Sequence, residues 1–326
     1  MPETSVKAPG VALDAAVLAS LPDAALWRDV LALTKPGIVR MVAVTVAVGF
    51  LARWLSGPLG HPVAMGLAFA MCLVGASVSA AGANALNQAI EAPRDAMMRR
   101  TRERPVASGR MAPKRGLLLG ALMSFLGVAV LATCFGPAPA AVSAATILSY
   151  VFIYTPLKPV TTLNTIVGAV PGALPPLIGW SAAEDGSWHA LAEPGGWSIV
   201  AIMFLWQIPH FLAIAWKYRD DYSRGGYRML PSAPDGEYHT GHTAFMWTIA
   251  LVGASLVPMY AIPGVVGWVH APVALLSGAW MFRAALRMAR GRDDGSAIRL
   301  FIVSIIYLPL VLLGLVADLV LSAALS

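Results

Sequence analysis

The stretch NALNQAIEAPRDAMMRRTRERP, residues 84–105, decides what kind of fold the chain has. It places two asparagines, two carboxylates and then a run of arginines directly after a long apolar segment. About 20 apolar residues are enough to cross a bilayer core of about 30 Å. Arginine and lysine collect in the cytoplasmic loops that follow such spans. The stretch therefore predicts the inner end of a membrane-spanning helix.

The rest of the 326-residue chain has the composition of an integral membrane protein. Apolar residues make up 58% of it and charged residues only 12%, whereas soluble domains are roughly 25% charged. The mean hydropathy is +0.70. The formal net charge of +6 lies mainly beside apolar segments, which indicates contact with a lipid bilayer and no role in binding nucleic acid.

Nine apolar segments are candidates for membrane spans, which predicts an all-α, multi-pass bundle of nine transmembrane helices. If the N-terminus is cytoplasmic, every lysine and arginine except Arg53 falls on the inner side, as the positive-inside rule requires. Residues 1–33 then form a cytoplasmic tail with a candidate interfacial helix, and residues 34–326 form one membrane-embedded domain. The nine segments are 37–57, 64–90, 115–135, 138–156, 163–182, 196–217, 244–267, 270–288 and 298–324.

Four polar residues lie on one predicted helix face at the inner end of the second span. Asn84, Asn87, Glu91 and Asp95 follow spacings of three, four and four, which places them within about 80° of one another. Polar groups inside a span are costly and often functional. Carboxylate oxygens suit Mg²⁺, which typically binds one or two carboxylates and substrate phosphates. We therefore predict a magnesium–diphosphate site here, although the same carboxylates can simply mark a helix end.

The arginines after this face favour an anionic ligand, because guanidinium groups bind phosphate through two parallel hydrogen bonds. They also satisfy the topology rule by themselves, so both interpretations stay open. Pro93 stands between the two carboxylates. Because an interior proline kinks or ends a helix, we expect Asp95 on a bent or non-helical segment.

A second polar group lies in WQIPHFLAIAWKYRDDY, residues 206–222. Gln207, His210, Lys217 and Asp221 again fall within about 80° of one another on a helix. Asp221 is a candidate second acidic arm, Lys217 is a candidate phosphate-binding cation, and His210 is a candidate metal ligand or proton carrier. The alternatives are a histidine hydrogen-bonded between helices and a solvated aspartate in a loop.

The segment YTPLKPVTTLNTIVGAVPGALPPLIGW, residues 154–180, lies between the two polar groups. Lys158 is the single cation of its short inner loop. The glycines and prolines that follow make the span breakable, which suits a cavity between helices, or they allow close helix packing. His239 and His242 have a metal-like spacing without obvious partners, and we interpret their segment, EYHTGHT, as a polar loop.

Two acidic arms and several cations beside a membrane cavity suit one class of reaction. A lipid-tailed diphosphate would keep its tail in the bilayer and its head on Mg²⁺. The metal and the cations would stabilise the departing diphosphate, and an electron-rich acceptor would capture the allylic carbocation. The sequence thus favours prenyl transfer at the inner face of the membrane.

The spacing Asn87-x3-Glu91-x3-Asp95 resembles the first acidic motif of the intramembrane aromatic prenyltransferase superfamily. Longer strings are similar to one family within it, the protoheme IX farnesyltransferases or heme O synthases. The first string begins with NALNQ and includes the E, the D and the RT..RP that follow it. The second string is residues 154–180. The third begins with FLWQIPHFLAIAW and includes the YR, DY and MLP that follow it. LTKP at residues 33–36 fits the start of that family, and the resemblance covers roughly residues 30–325.

The resemblance implies transfer of a farnesyl group from farnesyl diphosphate to a vinyl side chain of heme b, with water consumed and heme O and diphosphate released. It implies Mg²⁺ as cofactor, with Glu91, Asp95 and Asp221 as metal ligands and, together with Asn87, as the catalytic residues. The substrate-binding residues carried over are Arg100, Arg104, Lys158, Lys217 and Arg219 on the diphosphate side, Gln207 and His210 on the porphyrin side, and Asn84 and Asn164.

Three positions depart from the usual pattern of that family. Pro93 stands where a further aspartate is usual, Pro159 follows Lys158 where an arginine is usual, and Gly37 follows TKP where an arginine is usual. Each departure removes a charge near the proposed head-group site. Altered metal geometry, weaker diphosphate binding or a different acceptor would be the consequence.

Two other functions stay open at this level: a prenyltransferase for a small phenolic or quinone precursor, and a non-catalytic heme carrier or assembly protein. The partners expected besides heme b and farnesyl diphosphate are the lipid bilayer and a downstream heme A synthase. Because no arginine-rich, acid-poor presequence opens the chain, we expect a bacterial cell inner membrane and not an organelle, with the active site facing the cytoplasm.

Overall fold

The computed structural model describes residues 22–57, 62–265 and 267–325, and these residues form helices without any strand. The all-α expectation is therefore confirmed for the described part of the chain. Most of the predicted tail, residues 1–21, lies outside the described residues. Its last part forms the helix α1, which leaves Trp27 and Leu31 exposed; its place at a membrane interface stays a prediction.

Eleven helices follow one another along the described chain, several of them with an internal break. One of them carries a π-helical segment, Ser149–Tyr154, and short 3-10 turns lie at Trp188–Ala192 and Leu230–Ser232. The helices are α1 Pro22–Thr34, α2 Pro36–Ser56, α3 Pro62–Asp95, α4 Pro113–Phe135, α5 Pro137–Leu157, α6 Asn164–Glu184, α7 Pro194–Lys217, α8 Arg219–Arg224, α9 Gly236–Ala261, α10 His270–Gly291 and α11 Asp294–Leu325.

Eight of these helices, α2 to α7, α9 and α11, are long and apolar enough to cross a membrane. They coincide with eight of the nine predicted spans. The remaining predicted span, 270–288, is also a helix, α10, but the arginines at 283, 287 and 290 make it more polar than the others. The structure thus supports a multi-pass membrane bundle with eight candidate spans, and a ninth span at α10 stays a prediction.

Pro93 does not take Asp95 out of the helix, so of the two expected arrangements, a bent and a non-helical segment, the non-helical one is wrong. Helix α3 continues through Pro93 and ends at Asp95 itself. A proline removes one backbone donor, and near the end of a helix few further bonds depend on the disturbed turn. Glu91 and Asp95 therefore share one helix and one buried face.

The segment EYHTGHT is not a loop, because α9 begins at Gly236 and includes it. The Tyr238 and His242 rings stack there at 3.9 Å between centroids. The prediction of a loop was wrong because these first turns of α9 are polar, and a polar stretch gives no hydropathy signal for a helix. The apolar part of the same helix begins only after them.

Small residues bring the helices around the site close together. A Cβ on Gly127 of α4 would lie 2.6 Å from the carbonyl oxygen of Gly75 on α3, and one on Gly120 would lie 3.0 Å from that of Gly82. Such contacts are typical of membrane helices whose backbones touch. They fix α3, the helix that carries the first polar group, against α4.

Candidate active site

The C-terminal end of α3 presents a buried polar surface, which we call the acidic face, made of Asn87, Glu91 and Asp95. Their spacing of four residues places them one above the other along the helix, and at most 6% of any of the three is exposed. Each carboxylate has a cationic partner. Lys158 Nζ lies 2.6 Å from Glu91 Oε1, and Arg104 Nη1 lies 2.7 Å from Asp95 Oδ2.

Lys158 reaches the acidic face from the loop after α5, between aromatic rings. Its ammonium group lies 4.5 Å from the centre of the Tyr154 ring and 5.8 Å from that of Tyr227. Burial opposes its charge, yet the pKa of Lys158 is well above the usual value because Tyr154 and Glu91 stabilise the protonated form. Lys158 is thus a fixed positive charge beside Glu91.

Lys35, between α1 and α2, is a third cation at the acidic face, after Lys158 and Arg104. Its ammonium group donates to Asn87 Oδ1 at 2.6 Å, while Asn87 Nδ2 donates to Thr155 Oγ1 at 2.9 Å. Burial lowers the pKa of Lys35 to about 7, and the nearby Arg104 guanidinium adds to the shift. Sequence reasoning missed this residue, although LTKP contains it.

Asp221 forms the second acidic arm on the short helix α8. Its carboxylate accepts hydrogen bonds from the backbone N–H of Arg99 at 3.0 Å and of Arg100 at 3.2 Å, and it pairs with Arg224. Burial raises the pKa of Asp221, but the bonds from Arg224 and from these two backbone groups lower it below the usual value. The loop after α3 therefore connects both acidic arms.

Arg100 and Lys217 lie against aromatic rings near this loop. The Arg100 guanidinium is 5.3 Å from the centre of the Tyr218 ring, and Lys217 Nζ is 5.1 Å from the same ring. Lys217 Nζ is also 5.5 Å from the Phe301 ring of α11. Arg100 and Lys217 thus lie against the same ring, that of Tyr218.

Four predicted site residues make contacts that hold the fold together. Asn84 donates to Thr34 O at 3.1 Å, which joins α3 to the end of α1. Asn164 donates to Arg228 O at 2.7 Å, and Gln207 donates to Met203 O at 3.0 Å within α7. The fourth, Arg219, pairs with Asp294 at 2.8 Å. None of these contacts involves the acidic face.

Gly37 and Pro159, two of the positions that depart from the family pattern, lie close in the chain to Lys35 and Lys158. A Cβ on Gly37 would meet no atom within 4 Å, so this position is open. Beside Pro159, the Arg228 side chain donates to Val160 O at 3.3 Å, and its backbone N–H donates to Lys158 O at 2.9 Å. An arginine from another segment therefore reaches the loop in which Pro159 stands.

His210 of α7 is held between two aromatic rings and one hydroxyl. Its ring stacks on Trp206 at 4.7 Å and on Phe301 at 5.3 Å. Its Nδ1 lies 2.8 Å from Ser304 Oγ, which also lies 2.7 Å from Phe301 O. The hydroxyl has one proton and two acceptors within reach, so the contact joins α7 to α11 without fixing the histidine tautomer.

The acidic residues fit Mg²⁺ by their donor chemistry. Among the residues that the structure describes, no three His, Cys, Asp or Glu side chains form a ready metal-binding group. Mg²⁺ typically takes one or two protein carboxylates and completes its shell with water and substrate phosphates. The carboxylates of Glu91, Asp95 and Asp221, each already beside a cation, suit a metal that is bound together with a diphosphate.

Residues 38–311 match the UbiA prenyltransferase family, and the chain belongs to this family. In particular, it is similar to the protoheme IX farnesyltransferase of Opitutus terrae, with 38% identity over 295 residues that cover 90% of this chain and 95% of the relative. It is 37% identical over 290 residues to the protoheme IX farnesyltransferase of Solibacter usitatus, covering 87% and 96%. The resemblance seen in the sequence motifs is confirmed.

Solved structures share the fold at low sequence identity. A digeranylgeranylglyceryl phosphate synthase has a TM-score of 0.70 at 12% identity, with 90% of this chain and 98% of that chain covered. A UbiA homolog from Archaeoglobus fulgidus bound to GPP and Mg²⁺ has a TM-score of 0.58 at 11% identity, with coverage of 88% and 99%. The chain is therefore a helical membrane protein of UbiA fold.

Proposed function

We propose that this chain transfers a farnesyl group from farnesyl diphosphate to a vinyl side chain of heme b, giving heme O and diphosphate. The observation that carries the proposal is the pair of acidic arms joined by one loop, in a chain whose relatives are named protoheme IX farnesyltransferase. The bond between farnesyl C1 and the diphosphate oxygen breaks, and its electron pair leaves with diphosphate. The vinyl carbon captures the allylic cation, and water adds with loss of a proton.

Glu91, Asp95 and Asp221 would hold Mg²⁺, which supplies positive charge to the leaving diphosphate when it is bound. Lys158 and Arg104 lie directly beside two of these carboxylates. They would add positive charge beside a bound diphosphate, and Lys35 donates a hydrogen bond to Asn87. The solved UbiA homolog with GPP and Mg²⁺ supports this assignment at the level of the family.

His210 serves the porphyrin side. Ser304 Oγ lies 2.8 Å from His210 Nδ1, and the rings of Trp206 and Phe301 flank the imidazole on both sides. In the tautomer that carries its proton on Nδ1, Nε2 would be an axial ligand of the heme iron or the acceptor of the proton released when water adds. The aromatic surroundings suit a flat, largely apolar acceptor such as a porphyrin.

The proposed topology has nine spans, a cytoplasmic N-terminus and an active site at the cytoplasmic face of a bacterial inner membrane. Helix α10 has 22 residues, about 33 Å at 1.5 Å per residue, which is enough to cross the bilayer. Its first turn is tied to α11, because the N–H of His270 donates to Asp318 at 2.9 Å. Heme O released at this face would pass to a heme A synthase.

An acceptor competition tests the assignment against the two alternatives. The purified protein receives farnesyl diphosphate and Mg²⁺ with equal amounts of heme b and a phenolic acid, and the products are identified by mass. The proposal expects farnesylated heme. Farnesylated phenol would favour the small-acceptor prenyltransferase, and heme binding without diphosphate release would favour a carrier.

A further inference from the structure

Two adjoining cavities lie between α10 and α11, away from the acidic face. Their volumes are about 340 and 500 Å³, and both are lined by Trp280, Arg287 and Arg299. Arg283 lines the first cavity as well. We call this surface the arginine groove and define it by Trp280, Arg283, Arg287 and Arg299.

The arginine groove concentrates positive charge that the protein itself does not balance. Arg283, Arg287 and Arg299 are exposed, and none of the ion pairs found in the described ranges involves them. Arg283 and Arg287 are four residues apart, so they are neighbours on one helix face, and like charges at this spacing repel each other. An anion between α10 and α11 would remove this repulsion.

Along the same groove, one end is apolar. Leu276 is 75% exposed, Ile302 is 50% exposed and Trp280 is 44% exposed. From Leu276 to Arg287 the helix rises by about 16 Å, so the groove changes from apolar to cationic over roughly half a bilayer core. Tryptophan is enriched where such a change occurs, at the membrane interface.

We propose that the arginine groove binds an anionic phospholipid of the inner leaflet, with its phosphate on the arginines and an acyl chain along Leu276 and Ile302. Basic pockets between helices on the cytoplasmic side bind such head groups. Arginine suits this role because its planar guanidinium donates two parallel hydrogen bonds to a phosphate. Free phosphate shares the same chemistry but has no use for the apolar end. The proposal is independent of the reaction at the acidic face.

Native mass spectrometry of the full-length protein in detergent tests the proposal. It measures retention of phosphatidylglycerol, phosphatidylcholine and inorganic phosphate by the unaltered chain and by a variant with Arg283→Gln, Arg287→Gln and Arg299→Gln. The matched control carries Arg40→Gln, Lys114→Gln and Arg115→Gln, which removes the same charge from exposed cytoplasmic positions outside the groove.

The expected result is selective retention of phosphatidylglycerol, with about 100-fold weaker binding in the groove variant, because each arginine near a membrane surface contributes about fivefold. The control variant should bind within about threefold of the unaltered chain. If the triple variant does not fold, Arg287→Gln alone should show about a fivefold loss. Equal retention of both lipids, equal loss in the control, or displacement of the lipid by millimolar phosphate would overturn the proposal.

Discussion

Lys158 Nζ lies 2.6 Å from Glu91 Oε1 and joins the loop after α5 to the acidic face of α3 by a buried ion pair. Desolvation of two charges offsets much of their attraction, so a buried pair adds little net stability. Removing one partner nevertheless costs about 3–5 kcal/mol, because the other charge is left buried and alone. Under the proposed function, the two opposite charges would serve a magnesium diphosphate, whose metal and phosphate groups need partners of opposite sign.

Replacing Glu91 by glutamine should abolish most of the activity while the fold is kept. The amide oxygen still accepts from Lys158, but the negative charge that would bind Mg²⁺ is lost. We expect kcat/KM for farnesyl transfer to fall by about 100-fold or more, the usual effect of losing one electrostatic group at a reacting centre. Glu103→Gln is the matched control, because Glu103 is exposed in the loop after α3. Turnover of Glu91→Gln close to that of the control would contradict the assignment.

The two adjacent aspartates of α8 should differ sharply. Asp221 is buried and accepts from Arg99 and Arg100, whereas Asp220 is exposed. Asp221→Asn keeps an acceptor for these bonds but loses the charge, so we expect activity to fall by about 10- to 100-fold. Asp220→Asn should remain within about twofold. Steady-state assays at several Mg²⁺ concentrations measure both, and a similar loss in the two variants would show that Asp221 has no special role.

Ser304 should influence heme more than farnesyl diphosphate. Ser304→Ala removes the hydroxyl that lies 2.8 Å from His210 Nδ1, and the loss of such a supporting contact typically costs about 10-fold or more in binding or activity. We expect the KM for heme b to rise by about that factor with the KM for farnesyl diphosphate unchanged. Ser277→Ala is the control, because its hydroxyl bonds only within α10. Equal changes in both KM values would argue for a general structural role.

Gly127 should be required for the packing of α4 on α3. A Cβ there would lie 2.6 Å from Gly75 O, a backbone atom that cannot turn away. Gly127→Ala should lower the free energy of unfolding by about 1–3 kcal/mol, as overpacking does. Gly66→Ala in α3 meets no atom within 4 Å and is the control. Thermal melting in detergent compares the two; equal melting temperatures would mean that the helices can separate without cost.

The acidic face could be predicted from sequence because it depends on spacing within one helix. Asn87, Glu91 and Asp95 share a face whenever the helix continues, and it does continue through Pro93. The partners could not be predicted in the same way. Lys35 is 52 positions from Asn87, and Asp221 meets backbone groups more than 120 positions away. Such contacts arise from the packing of helices, for which one sequence gives no local signal.

Hydropathy predicted eight spans that the structure supports, but it missed the helical start of α9. The first turns of α9 contain His239 and His242, which lie in a polar stretch before the apolar part of the helix. The C-terminal half of α10 contains Arg283 and Arg287, and a span at this helix stays a prediction. An average over a window of residues cannot separate the polar end of a helix from its apolar part.

The most direct test of the central claim is the time course of heme O formation by the purified protein with heme b and farnesyl diphosphate. The reaction is followed by mass and chromatographic retention with Mg²⁺, with a chelator, and after Mg²⁺ is restored. The account predicts heme O with Mg²⁺, none with the chelator, and recovery once the metal returns. Folded, heme-binding protein that forms no heme O under any of these conditions would contradict it.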